Sequence, residues 1–217
     1  MVSFAVGAIT ATVSVTGLLD HHVLATLERQ PGELEHHDAW RPATSLVVHD
    51  DWLALASNLV LLAVVGIAAE RRLSRVEWLT LYLCAGLTGQ LVGVAWQPHG
   101  AGNSVASLRL AGGLVVAALR ARCVPVWALG YAAVVLAQLM APDVGGTIGA
   151  AISISALVLT GAVYQWRLRR PHAPLDVALA WTMGLEGIAL AALGNIHGPA
   201  LLAGVVVAAV WTAAVMR

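Results

Sequence analysis

The chain has 217 residues, 59% apolar and 11% charged, with twelve basic and twelve acidic side chains and a mean hydropathy of +0.80. This composition is far outside that of a soluble domain, and the absence of net positive charge argues against a nucleic-acid partner. It describes one polytopic all-α bundle in a lipid bilayer, spanning 1–217, with no residues left over for a soluble domain.

Eight apolar spans follow in chain order, at 4–25, 51–69, 77–95, 103–120, 124–141, 145–165, 174–193 and 197–215. Each is near the ~20 residues a helix needs to cross a ~30 Å hydrocarbon layer. Asp20-His21-His22 interrupts the first, and Asp176 and Glu186 sit in the seventh. No Arg or Lys precedes the first run and no small-residue cleavage site follows it, so it reads as a retained span rather than a signal peptide. Gly86 and Gly89, Gly112 and Gly113, and Gly145, Gly146 and Gly149 form small-residue faces where helices can approach closely.

The arginines give the direction. Arg71, Arg72 and Arg75 follow the second span, Arg120 and Arg122 the fourth, Arg167, Arg169 and Arg170 the sixth, and Arg217 the eighth. With eight spans these loops share one side, which the positive-inside rule makes the cytoplasm, and both termini lie there. The loop from about 26 to 50 is then outside, where Glu28, Glu33, Glu35, Asp38, Asp50 and Asp51 outnumber Arg29 and Arg41. All basic residues are Arg, which reads as GC-rich codon usage; with the short loops and small size, it points to a bacterial inner (plasma) membrane. Cys84 lies within a span and Cys123 beside Arg120 and Arg122, so neither suggests an extracellular disulfide or a metal site. His21, His22, His36 and His37 read as solvated histidines in or near the outer loop. No metal or other cofactor is implied.

Polar residues in fixed places carry the functional signal. Trp40-Arg41 leads to His49, and Asn58, Gly66 and Glu70 follow in the second span. Gly102-Asn103-Ser104 opens the fourth span and His197-Gly198-Pro199-Ala200 the eighth. A serine hydroxyl is a weak nucleophile until a base within hydrogen-bond reach takes its proton, and a Ser–His pair supplies that base. A polar Asn58 deep in an apolar run faces the bundle interior, either toward a site or in an interhelical hydrogen bond.

This pattern resembles the rhomboid intramembrane serine proteases. That family has a Trp-Arg pair in its first loop and a His before the second helix. Its active-site Asn has Gly and Glu eight and twelve positions on, matched by Asn58, Gly66 and Glu70. Its catalytic Gly-x-Ser matches Gly102-Asn103-Ser104, with Gly112 eight positions later, and its catalytic His matches His197, with Gly204 seven positions later. The resemblance implies Ser104 as nucleophile, His197 as base and acid, and Asn58 with the Ser104 backbone N–H as oxyanion donors. It implies transmembrane protein substrates.

The chain departs from the family at several positions. Val105 stands where a Gly usually follows the serine and could crowd the backbone. Ala54 replaces a second histidine that contributes to the oxyanion site, and Leu108 a tyrosine that packs on the catalytic His. Ninety-three positions separate Ser104 from His197, more than a six-helix core needs. Two arrangements follow. Additional helices, within about 145–193, precede the His-bearing helix, or the sixth helix lost its His and two helices were added after it. An inserted pair preserves direction, so His197 enters the membrane from the same side as Ser104.

Glu70 reads as a structural ion pair with Arg71 or Arg72, and His49 as structural. Arg109 lies five positions after Ser104 inside the fourth span, where an unpaired charge costs at least ~2.5 kcal/mol. Glu186 is its expected partner, tying the additional helices to the core; alternatively Arg109 lines an aqueous cavity. Three functions fit: an intramembrane serine protease, a rhomboid-like pseudoprotease binding client transmembrane helices, and a small transporter using Arg109 and Glu186.

Overall fold

The computed structural model describes residues 1–32, 38–120, 124–169 and 174–215. Glu33, Glu35, His36, His37, Arg122, Cys123, Arg170 and Arg217 lie outside the described residues. The helices are α1 (Val2–Leu19), α2 (His21–Leu27), α3 (Arg41–Thr44), α4 (Trp52–Leu61), α5 (Ile67–Glu70), α6 (Arg75–Trp96), α7 (Ser104–Leu119), α8 (Val126–Val144), α9 (Gly146–Arg169), α10 (Leu175–Ala192) and α11 (His197–Val215). A π-helical turn, Leu62–Gly66, joins α4 to α5, so Trp52–Glu70 runs as one span.

Among the described residues, seven segments are long and apolar enough to cross a membrane: Val2–Leu19, Trp52–Glu70, Arg75–Trp96, Val126–Val144, Gly146–Trp166, Leu175–Ala192 and His197–Ala214. With α7 they reproduce the order of the eight spans read from the sequence. The first span is shorter than the expected 4–25. The chain is extended at Asp20, whose carboxylate accepts the His22 N–H at 2.9 Å and starts the separate helix α2. An aspartate at a helix start satisfies a backbone donor the helix itself cannot. Asp51 does the same for the second span, accepting the Ala54 N–H at 2.8 Å.

Helix α7 is the centre of the bundle. Every residue from Val105 to Ala118 is buried, and α11 is its most extensive partner, with α6 and α10 alongside. Helix α10 packs between α8 and α11, whereas α9 rests mainly on α8. Exposed apolar side chains such as Phe4, Leu53, Ile154, Trp181, Leu185 and Val210 cover the outer surface. Hydrocarbon, rather than water, is the solvent such a surface fits. Helix α1 is inside-out: its buried residues are Ser3, Thr10, Ser14 and Gly17.

The length of α7 has a consequence for the site. Its 16 residues span ~24 Å, less than the ~30 Å hydrocarbon thickness. With Arg120 at one edge, Ser104 at the other end lies below the opposite surface. Irregular backbone at such depth must be satisfied by protein groups. The segment before α7 meets this demand: the Gly102 N–H donates to the Ser45 carbonyl at 2.8 Å, and the Gly102 carbonyl accepts from Gln90 Nε2 at 3.2 Å.

Candidate active site

Ser104 is the first residue of α7 and His197 the first of α11. Ser104 Oγ lies 2.9 Å from His197 Nε2, a contact closed across 93 positions of chain. Both side chains line a cavity of about 100 Å³, together with Arg29, Gln90, His99 and Gly102. A larger groove of about 860 Å³ lies between α8 and α9, toward Arg72 and Tyr164, and none of these residues reaches it.

Beyond the histidine a hydrogen-bonded chain continues. Asn195 Oδ1 is 2.7 Å from His197 Nδ1 and accepts the His197 backbone N–H at 3.0 Å, an Asx turn at the head of α11. Asn195 Nδ2 donates to Asp143 Oδ2 at 2.6 Å and faces the Leu139 carbonyl at 3.4 Å. Asn195 is buried, and Asp143 lies exposed near the end of α8. Neither was singled out in the sequence. The available signal was the short polar residue just before a helix start, which favours an Asx turn or cap.

Gly102 is shaped by this site. Its φ of +119° is a conformation side-chain-bearing residues rarely adopt. A Cβ there would also lie 3.3 Å from His49 Nε2 and 3.4 Å from Asn58 Nδ2. Asn58 therefore aims its amide nitrogen at the turn that carries Ser104. The Ser104 backbone N–H, in the first turn of α7, has no acceptor within its own helix.

His49 is fully buried in the loop before α4, with Nδ1 3.0 Å from Ser14 Oγ. Ser14 Oγ also lies 3.1 Å from the Val47 carbonyl, so it bridges His49 and the loop backbone. His49 thereby ties α1 to the first loop. Burial holds its pKa down to about 4.

The first loop is anchored by two arginines. The Arg41 guanidinium sits 5.3 Å from the centre of the Trp40 ring, pairs with Asp38 at 3.1 Å and donates to the Ala25 and Glu28 carbonyls at 2.6 and 3.1 Å. Arg29, read from the sequence only as an outer-loop charge, is buried. It donates to Gln90 Oε1 and, at 3.1 Å through Nε, to the Gln97 carbonyl, and its backbone pairs with Gly100. It thus fastens the first loop to the segment leading into Ser104.

Three expectations need correction. Glu70 makes no ion pair with Arg71 or Arg72; it accepts the Ser3 backbone N–H and holds the start of α1. Arg41–Asp38 is the ion pair found among the described residues, and Arg109 and Glu186 do not form one. Glu186 opens into a cavity of about 200 Å³ between α8, α9 and α10, and Arg109 does not line that cavity. Arg109 Nε and Glu186 Oε2 each lack a hydrogen-bond partner among the described residues. Finally, Val105 does not obstruct the serine turn. Its side chain packs over Gly89 of α6, where no Cβ stands in the way, and joins a small cluster with Ile196 and Ala200.

Comparison with known proteins agrees with this architecture. Residues 36–217 match the Rhomboid domain. The chain is similar to rhomboid protease AarA of Providencia stuartii, 33% identical over 67 residues, which is 31% of this chain and 24% of that protein. It is also similar to rhomboid protease GluP of Bacillus subtilis (strain 168), 37% identical over 84 residues, 38% of this chain and 17% of that protein. The matched stretches thus cover a quarter or less of these two relatives. With most of its length matched by the family's domain, this helical membrane protein belongs to the rhomboid family.

Proposed function

We propose that this chain is an intramembrane serine endopeptidase that cleaves single-span protein substrates near the outer membrane edge. The observation that carries the reading is the 2.9 Å contact between Ser104 Oγ and His197 Nε2 at the half-buried heads of two neighbouring helices. In the proposed reaction Nε2 takes the hydroxyl proton as Oγ attacks the scissile carbonyl carbon. The carbonyl oxygen becomes an oxyanion facing the Asn58 amide and the Ser104 N–H, and such donors are each worth ~3–4 kcal/mol. The imidazolium returns its proton to the leaving amine. Water, activated by the same imidazole, then hydrolyses the acyl-enzyme and regenerates the serine. These steps use no metal or other cofactor.

The reading places α9 and α10 as the additional pair, so that α11 enters the membrane from the same side as α7. It also places the protein in a bacterial inner membrane with both ends of the chain on the cytoplasmic side, consistent with arginines at Arg71, Arg72, Arg120 and Arg169. Ala54 and Leu108 favour a second reading, a pseudoprotease that holds client transmembrane helices without cutting them, because a donor and an aromatic packing partner are replaced.

The deciding experiment reconstitutes the protein in liposomes with a single-span reporter and identifies products by mass spectrometry. The protease reading predicts one cut near the outer end of the span, lost in Ser104→Ala. Intact reporter that co-purifies equally with wild type and Ser104→Ala supports the pseudoprotease.

A further inference from the structure

We infer that Asn195, oriented by Asp143, is a positioning residue that fixes the tautomer of His197 and extends the catalytic pair to a four-residue chain, Ser104–His197–Asn195–Asp143. The inference rests on the protease reading for its role in catalysis, but its structural content stands on the hydrogen bonds alone.

The proton positions follow one from another. The Asp143 carboxylate and the Leu139 carbonyl can only accept, and both face the same end of the Asn195 amide, at 2.6 and 3.4 Å. That end must therefore be the NH₂ group, which leaves Oδ1 facing His197. Oδ1 can only accept, so the ring nitrogen 2.7 Å away carries its proton on Nδ1. A neutral imidazole with Nδ1–H has its lone pair on Nε2, where the Ser104 hydroxyl lies at 2.9 Å. Each bond fixes the polarity of the next, and the base faces the nucleophile. Without Asn195 the ring is free to rotate or to hold its proton on Nε2, where it cannot accept from serine. A wrong tautomer of this kind disables a serine–histidine pair even when its geometry is intact. Asp143 touches neither the ring nor the serine. Its role is to stop the Asn195 amide from flipping, and with the Leu139 carbonyl it links α8 to the site.

The test uses the full-length protein in detergent, with ¹⁵N-labelled histidine and a fluorophosphonate probe. The His197 ring signals are assigned by their loss in His197→Ala. Wild type is expected to show Nδ1 protonated and Nε2 bare, with that preference lost in Asn195→Ala. Probe labelling should slow by about tenfold or more in Asn195→Ala, part of the ~10²–10⁴ that a positioned base supplies. Asp143→Ala changes an exposed residue and keeps the Asx turn, so it should slow labelling with little change in the melting midpoint; it carries the test if Asn195→Ala does not fold. Asn195→Asp alone sets two carboxylates side by side and should be slow. Adding Asp143→Asn restores a donor facing an acceptor and should recover the rate, which loss of packing would not explain. A wild-type ring protonated on Nε2, or Asn195→Ala and Asp143→Ala variants matching wild type in both ring signals and labelling, overturns the inference. If wild type does not label, the protease reading fails and the ring signals alone decide: Nδ1–H in wild type, lost in Asn195→Ala, supports the tautomer assignment, and any other pattern rejects it.

Discussion

Gly112 of α7 and Gly204 of α11 meet backbone to backbone: a Cβ on Gly112 would lie 2.9 Å from the carbonyl carbon of Gly204 and 2.8 Å from the Val205 nitrogen. The reciprocal Cβ on Gly204 would strike the Arg109 backbone. Close approach of this kind is how helices associate where no hydrophobic force distinguishes protein from lipid. It also sets the site, because Ser104 and His197 head these two helices, eight and seven positions before the glycines. Gly204→Val should therefore destabilise the protein by ~1–3 kcal/mol through overpacking, and should separate Ser104 from His197. Thermal unfolding in detergent and probe labelling of the surviving folded fraction measure the two effects separately.

No side-chain hydrogen bond of Asn58 is found among the described residues, and its amide nitrogen faces Gly102. Asn58→Ala should leave the melting midpoint close to wild type while reducing reporter cleavage by ~10²–10³-fold, the loss typical of one oxyanion donor. A strong fall in stability with unchanged turnover of the folded protein would assign Asn58 to helix packing instead.

His49 makes stability depend on pH. Its folded pKa is about 4, held down by burial, against an ordinary value near ~6.5. Below that ordinary value the unfolded chain binds a proton that the folded protein refuses. Stability is thus full above pH ~6.5, falls as the pH drops toward ~4, and loses no more than ~3 kcal/mol in that window from this group. Melting midpoints at pH 7.5 and pH 5 should differ less in a folded His49→Gln variant than in wild type, once both are measured in one detergent.

Arg109 and Glu186 should be energetically independent. No ion pair joins them among the described residues, and Arg109 does not line the cavity that Glu186 opens into. In a cycle of Arg109→Met, Glu186→Gln and the double variant, the two losses should add within ~0.5 kcal/mol. Strong coupling would restore the pairing expected from charge alone.

The eight helical segments were legible because a bilayer demands long apolar runs, and α7 was legible although too short to qualify by length alone. Ser104, His197 and Asn58 were legible because polar groups at those depths are costly and matched a known spacing. Arg109–Glu186 was misjudged because opposite charges in neighbouring spans say nothing about which way each helix turns. Glu70 was misjudged similarly: the nearest charges in sequence were chosen, while its partner is a backbone N–H at Ser3, 67 positions away. Asn195 and Asp143 went unread because their 52-position separation closes only when α8 and α11 meet. The same holds for Arg29, whose anchoring of Gly100 and Gln97 depends on loop tertiary structure.

The most direct measurement is fluorophosphonate labelling of purified wild type, Ser104→Ala and His197→Ala, with all three shown to be folded. Wild type should be labelled, with modification on Ser104 by peptide mass, and neither variant should be. Labelling of folded wild type that persists in His197→Ala, or its absence from wild type under conditions that label an active rhomboid protease, would contradict this expectation.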